Sequence, residues 1–416
     1  MGPASSHVRP TAHVPDAEHL IGGMHVMRSV RLISAALGVA TALALTATAC
    51  GPTETPAADA PATGASSSAP AADGAGSGDD LAKDLADKLK KHGVDLDKWK
   101  DGEWKNWDRA TWLREAEDFV NPVIDGLWDP TRMQSAKSPD QTITAQAGTN
   151  GTDPTPRPVN AQREKTPYHR NAAPVGKIFF DSPEGHMVCS GTIVKDPRRP
   201  GKSNMVWTAG HCVHAGQRGG WYRNITFVPA YNDLGKSPSA LRNAQPHEIA
   251  PYGQYWADWA VTSGDWIQRG GSNQAWPYDY AVLHVQPERG GKSLEETVGA
   301  ALPVDFSAPT AAQAGTMGAW GYPQAPPYNG LIMHKCLDRA TRLTTAPATP
   351  TMYRIGCTMT AGSSGGGWFR VLPNGKTALV SNTSIGPAGG NGWLAGPQLG
   401  KGAKAAHEMV SKKFAR

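Results

Sequence analysis

An all-β barrel or sandwich is the fold class that the sequence predicts for residues 172–416, on three observations. Runs such as PVGKIFF, MVCSGTIV, SNMVWTAG, NITFVPAY, DYAVLHV, TMGAWGY and KTALVSN are short and rich in Val, Ile and aromatics. Gly, Pro and Asn clusters separate them, at the spacing of strands joined by turns. The whole chain of 416 residues carries 47 Gly and 34 Pro with only 19% charged residues, a balance that suits loop-rich β structure better than a helical bundle. The net charge of +5 is mild, and no dense Lys/Arg block is interleaved with aromatics. Nucleic acid is therefore not an expected partner.

Upstream of that region the texture changes several times. Residues 1–50 read as a signal region: a basic start from Met27 to Arg31, an apolar run at 32–45 (LISAALGVATALAL), then TATACG. That order describes a secretory signal, with Met24 or Met27 as the expected true start. The apolar run is too short, and too rich in Ala and Thr, for a membrane span. The stretch ATACG at 47–51 resembles the bacterial lipoprotein signal, whose cysteine becomes the lipidated N-terminus, although Ala47 stands where that family usually has Leu. Lipidation of Cys50 accounts for the odd one of 5 cysteines; ordinary cleavage near Ala49 would release a soluble protein and leave a free thiol.

Residues 51–78 are Ala, Pro, Gly, Ser and Thr without periodic apolar positions. They cannot bury enough surface to offset ordering entropy and read as a disordered tether. In residues 79–130, Leu81, Leu85 and Leu89 recur at helical steps, and Trp112, Leu113, Ala116, Phe119 and Val120 fit one helical face. Asn121-Pro122 would end the second helix. Trp99, Trp104, Trp107, Trp112 and Trp128 crowd this small helical region. It reads as a cap packing its aromatics on the next domain, as a propeptide, or as a surface-binding module. Residues 131–171 are polar and Pro-rich and read as a linker, with Arg157, Arg163 and Lys165 as processing points or as plain exposed basic positions.

Chemistry concentrates at three places. TAGHC sets His211 beside Cys212 at the end of an apolar run, DYAVL opens an alternating strand with Asp279, and TAGSSGGGW at 360–368 follows two serines with three glycines. A Gly/Ser run is the composition of a flexible linker. Glycines also let a backbone approach a substrate closely, so that stretch alone leaves both readings open. Asp258, in ADWAV, competes with Asp279, but its strand is weaker and interrupted by Thr-Ser-Gly; Ser363 competes with Ser364. His186, His214, His247, His284 and His334 sit in no motif and read as surface or packing residues. Neither HExxH nor a pair of CxxC motifs occurs, so no catalytic metal or other cofactor is expected.

Together these segments resemble the chymotrypsin-like serine peptidases. TAGHC matches that family's histidine motif, DYAVL its aspartate motif with Tyr280 as a change, and GSSGG its serine motif with Ser363 replacing an aspartate. The order His, Asp, Ser is the family's order. CSGTIV with TAGHC is most like the secreted bacterial branch that includes the glutamyl endopeptidases. The resemblance covers about residues 174–400.

It implies two antiparallel six-stranded β-barrels, preceded by the tether and the helical region. It also implies Ser364 as nucleophile, His211 as general base and Asp279 as the group that orients the imidazole. The N–H groups of Gly362 and Ser364 would bind the oxyanion, disulfides would join Cys189–Cys212 and Cys336–Cys357, and Thr358, Ser381 and Thr383 would border the specificity pocket. Thr358 stands where trypsin-like members carry Asp, and residues 378–385 lack the histidine of the glutamate-specific relatives, so neither preference is implied. Ser363 cannot form the activation ion pair of the trypsin branch. The implied function is a monomeric, exported serine endopeptidase acting on protein or peptide substrates, secreted or anchored through Cys50 on the outer face of the cytoplasmic membrane. A catalytically silent binding module on the same fold, or an esterase using the same triad, are the alternatives.

Overall fold

The computed structural model describes residues 121, 123, 125–139, 141–143, 151–182, 184–388 and 392–415. The signal region with Cys50, the tether and Trp99, Trp104, Trp107 and Trp112 lie outside the described residues. Among the described residues no helix is long and apolar enough to cross a membrane.

Two short strands come first, β1 (Thr142–Ile143) and β2 (Gln162–Arg163). The next six are β3 (Val175–Ser182), β4 (Gly185–Val194), β5 (Met205–Thr208), β6 (Arg223–Pro229), β7 (Tyr255–Thr262) and β8 (Ala281–Pro287). They close an antiparallel barrel in the order β3-β4-β5-β8-β7-β6. Side chains alternate across its wall, as strand geometry requires. Ile178, Phe180, Val206, Leu283 and Val285 fill the barrel, whereas Phe179, Trp207 and Val282 pack in a second cluster. Both faces are buried, so these strands read as nearly continuous apolar runs. β7 is a full strand despite its weak sequence signal; its register shifts between Ala257 and Trp259, a bulge that sets Asp258 apart.

The C-terminal half holds β9 (Thr316–Gly321), β10 (His334–Arg339), β11 (Thr341–Leu343), β12 (Met352–Cys357), β13 (Gly367–Val371), β14 (Thr377–Asn382), β15 (Gly386–Pro387) and β16 (Gly392–Pro397). They form a five-stranded sheet, β14-β13-β9-β10-β2, and a three-stranded sheet, β11-β12-β16, around Met317, Ala319, Ile355, Trp368, Val380 and Leu394. The ladder is thus not continuous, and side chains close both seams. Between β10 and β12 the Cys336–Cys357 disulfide and the Gly356 N–H to Asp338 Oδ2 bond (2.7 Å) do so. Between β14 and β16 the Ser381 hydroxyl donates to Pro397 O (2.7 Å).

The stretch before the barrel is more than a linker. Leu127 and Trp128 are fully buried. Asp129 caps the helix Pro130–Ser135 by accepting from the N–H groups of Thr131 and Arg132. Arg132 pairs with Asp181 at 2.9 Å, both side chains nearly sealed from solvent. The following residues pack on the C-terminal half, where Thr358 N–H donates to Val159 O and Glu164 N–H to Met333 O. The closing helix Lys401–Lys413 lays Ala403, Ala406 and Val410 into the core cluster outside the first barrel.

Candidate active site

β5 and β8 are antiparallel neighbours, with Thr208 opposite Ala281. Residues just after β5 and just before β8 therefore meet at one end of the barrel. His211 lies there on the turn Gly210–Cys212, and Asp279 ends the turn Trp276–Tyr278. Asp279 is fully buried and His211 nearly so. The carboxylate accepts from His211 N–H (2.8 Å), pairs with His211 Nδ1 (2.7 Å) and accepts from the Ser384 hydroxyl (2.6 Å). A buried carboxylate with three partners is satisfied where an isolated one would be costly. His211 Nε2 is buried and makes no hydrogen bond among the described residues.

Ser364 comes from the other half. Its carbonyl accepts from Ser190 N–H on β4 (2.7 Å), and Ser190 Oγ donates to Gly362 O (2.9 Å). Gly362 has φ of 98°, in the left-handed region, and a Cβ there would stand 2.7 Å from Tyr322 O. At Gly365 an added Cβ would lie 2.9 Å from Ala209 N, so the GSSGG loop runs against the TAGHC segment. The N–H groups of Gly362 and Ser364 donate to no acceptor among the described residues, whereas Ser363, Gly365 and Gly366 do donate. Ser363 Oγ is taken by Thr360 O (2.7 Å). The two halves are also joined from the far side: Asn382 Nδ2 donates to Asp279 O (3.0 Å), and Trp207 Nε1 to Asn382 Oδ1 (3.0 Å).

A cavity of about 530 Å³ opens beside Ser364. Thr360, Ser363, Thr383 and Ser384 offer hydroxyl-bearing walls, Met359 and Ile385 apolar ones, and among the described residues no charged one lines it. Of the three residues assigned to the specificity pocket, Thr383 lines this cavity. The Thr358 hydroxyl instead accepts from Ala161 N–H and bonds Tyr328 Oη, and that of Ser381 closes the β14–β16 seam. Cys189 and Cys212 lie close to His211, but they are joined as a disulfide and offer no thiolate to a metal. Asp258 pairs with His284 Nδ1 (2.6 Å), which stacks on Phe414. His214 Nδ1 accepts from Gly216 N–H, and burial pushes its pKa down to about 3. Sequence reasoning gave Ser190, Asn382 and Ser384 no role. Their partners lie more than a hundred residues away, so only the folded chain reveals them.

Comparison with protein-family models and with curated proteins finds no match. Among solved structures, the thermostable serine protease AL20 from an extremophilic microorganism is 33% identical, covering 58% of this chain and 98% of that one at a TM-score of 0.48. The protease Anisep from Arthrobacter nicotinovorans is 28% identical, covering 60% and 99% at 0.48. A Glu endopeptidase in complex with MPD is 18% identical, covering 66% and 100% at 0.43. A chain that is 33% identical to a serine protease across 98% of that protein's length, and whose strands close a six-stranded barrel, belongs to the chymotrypsin-like serine peptidases.

Proposed function

We propose that the chain is an exported serine endopeptidase in which Ser364, His211 and Asp279 cleave peptide bonds through an acyl-enzyme. The observation that carries this reading is the buried Asp279 carboxylate, which holds both the N–H and the Nδ1 of His211 and leaves Nε2 without a hydrogen bond among the described residues. In the reaction Ser364 Oγ attacks the scissile carbonyl and His211 Nε2 takes its proton. Asp279 keeps Nδ1–H oriented and stabilises the imidazolium. The oxyanion forms against the N–H groups of Gly362 and Ser364, donors worth roughly 3–4 kcal/mol each in comparable sites. Collapse breaks the C–N bond, and His211 returns the proton to the leaving amine. Water, activated by the same imidazole, then releases the acyl group.

The hydroxyl-bearing and apolar side chains that the described residues set on the cavity wall favour substrates that place an uncharged side chain beside Ser364. Two disulfides accord with an oxidising compartment. Cys50 and the tether supply an anchor and a spacer on the cell surface. A fluorophosphonate probe tests the chemistry: it labels the wild type and not Ser364→Ala. Failure to label the wild type, or labelling that survives the substitution, defeats the reading, and turnover of simple esters in preference to peptides makes it an esterase. Mass spectrometry of the mature N-terminus decides between lipidation of Cys50 and release.

A further inference from the structure

The stretch upstream of the first barrel runs into the cleft that holds Ser364. After the anchored Arg132, Ala136 O accepts from Gln324 Nε2 (2.5 Å). Lys137 then bridges to β4, its N–H donating to His186 O (2.7 Å) and its carbonyl accepting from Val188 N–H (2.8 Å). β1 finally lies parallel to β15, with Thr142 opposite Gly386. Gly386 N–H donates to Gln141 O (3.2 Å) and Ala388 N–H to Ile143 O (2.8 Å). Ile143 is buried in an apolar cluster with Trp276, Leu343, Met352, Ile385 and Trp393. Ser138, Gln141 and Thr142 line the same cavity as Ser363 and Ser364.

The position of this edge gives the contact its meaning. β15 begins two residues after Ser384, whose hydroxyl reaches Asp279. The backbone groups at 386–388 are therefore a strand edge continuous with the catalytic wall. An extended peptide binds such an edge through main-chain hydrogen bonds. Here the protein's own chain holds it. We propose that Gln141–Ile143 is an intramolecular competitor of the peptide substrate, and that hydrolysis of extended peptides requires its displacement from the edge at 386–388. The inference rests on the peptidase reading. The open cavity between this strap and Ser364 leaves small reagents a route to the hydroxyl, so the strap separates peptide hydrolysis from probe labelling.

Ile143→Asp sets a carboxylate in the apolar cluster and expels the end of the strap. The expected result is a rise of about tenfold in kcat/KM for an extended peptide, through KM, with the rate of fluorophosphonate labelling changed by less than about twofold. Ile143→Ala gives a smaller rise in the same direction and carries the test should the aspartate variant not fold. The reverse experiment joins the register partners as Thr142→Cys with Gly386→Cys, where an added Cβ at 386 meets its nearest neighbour at 3.6 Å. Oxidation then lowers peptide hydrolysis about tenfold or more while labelling persists. Unchanged peptide hydrolysis in Ile143→Ala, with labelling intact, overturns the strap and leaves the peptidase reading standing. A wild type that never labels overturns the peptidase reading itself.

Discussion

In the first barrel every strand has a backbone partner on both edges, whereas the C-terminal half leaves two seams that a disulfide, a carboxylate and a hydroxyl close. The division matches the chemistry proposed for each half. In the proposed triad His211 and Asp279 keep a fixed separation, and they lie just after β5 and just before β8, neighbouring strands of the closed barrel. As the proposed nucleophile, Ser364 needs a loop with left-handed glycines and outward N–H groups, and it comes from the more loosely connected half. The halves then hold each other: Ser190 of the first barrel grips the carbonyls of Gly362 and Ser364, while Asn382 and Ser384 of the second grip Asp279. Precision in the site thus comes from reciprocal bonds across the boundary rather than from either half alone.

The largest effects are expected from removing the reacting groups of each half. Ser364→Ala lowers kcat by about a million-fold and Asp279→Asn by about ten thousand-fold, with the latter folded, as circular dichroism would show. A loss from Asp279→Asn of less than about tenfold would mean that His211 is oriented by something else.

How much of this was legible beforehand differs between the halves. TAGHC, DYAVL and GSSGG are local, because each packs a side chain of the proposed triad and its backbone support into five residues. The strands of the first barrel were also legible, since both of their faces are buried and their apolar runs stand out. β7 is harder to read, because a bulge at Asp258 and polar flanks break its pattern. The helix Lys401–Lys413 went unread, although Ala403, Ala406 and Val410 follow a helical period. The strap had no pattern to read. It pairs through two residues, Thr142 and Ile143, and its meaning depends on Gly386, which lies far along the chain.

The disulfides sharpen the comparison at the next level of effect. They close loops of similar separation, 23 and 21 residues, so loss of either costs about 3 kcal/mol on the entropic model. Their effects on rate should differ. Cys189–Cys212 fixes the turn that carries His211, and its paired Ser variants lose kcat as well as stability. Cys336–Cys357 staples a seam, and its paired Ser variants lose melting temperature with kcat nearly intact. Equal kcat losses would break the division of labour.

Single hydrogen bonds come below that. Ser190→Ala removes the hydroxyl that Gly362 O accepts and that takes the Tyr322 N–H (3.0 Å), and costs about 1–2 kcal/mol in urea unfolding together with a lower kcat. Asp338→Ala leaves the Gly356 N–H buried without its acceptor and costs about 1–3 kcal/mol with kcat unchanged. A seam variant that slowed catalysis more than Ser190→Ala would reverse the assignment of rigid and tolerant halves.

The last effect bears on stability alone and concerns Lys177, a fully buried residue of β3 whose Nζ donates to Gly330 O (2.8 Å) across the boundary. Burial lowers its pKa to about 7 from an ordinary 10.5. Between those values the unfolded chain binds a proton that the folded chain has released, so stability rises with pH through that window and the charged form weakens the fold below it. The slope contributed is at most about 1.4 kcal/mol per pH unit. Lys177→Met removes it, so the difference in melting temperature between variant and wild type should favour the variant most at pH 6 and shrink steadily toward pH 10. A difference independent of pH would show that the ammonium keeps its proton throughout, held by Gly330 O and the faces of Phe179 and Tyr231. The boundary between the halves would then be bound by a permanent charge.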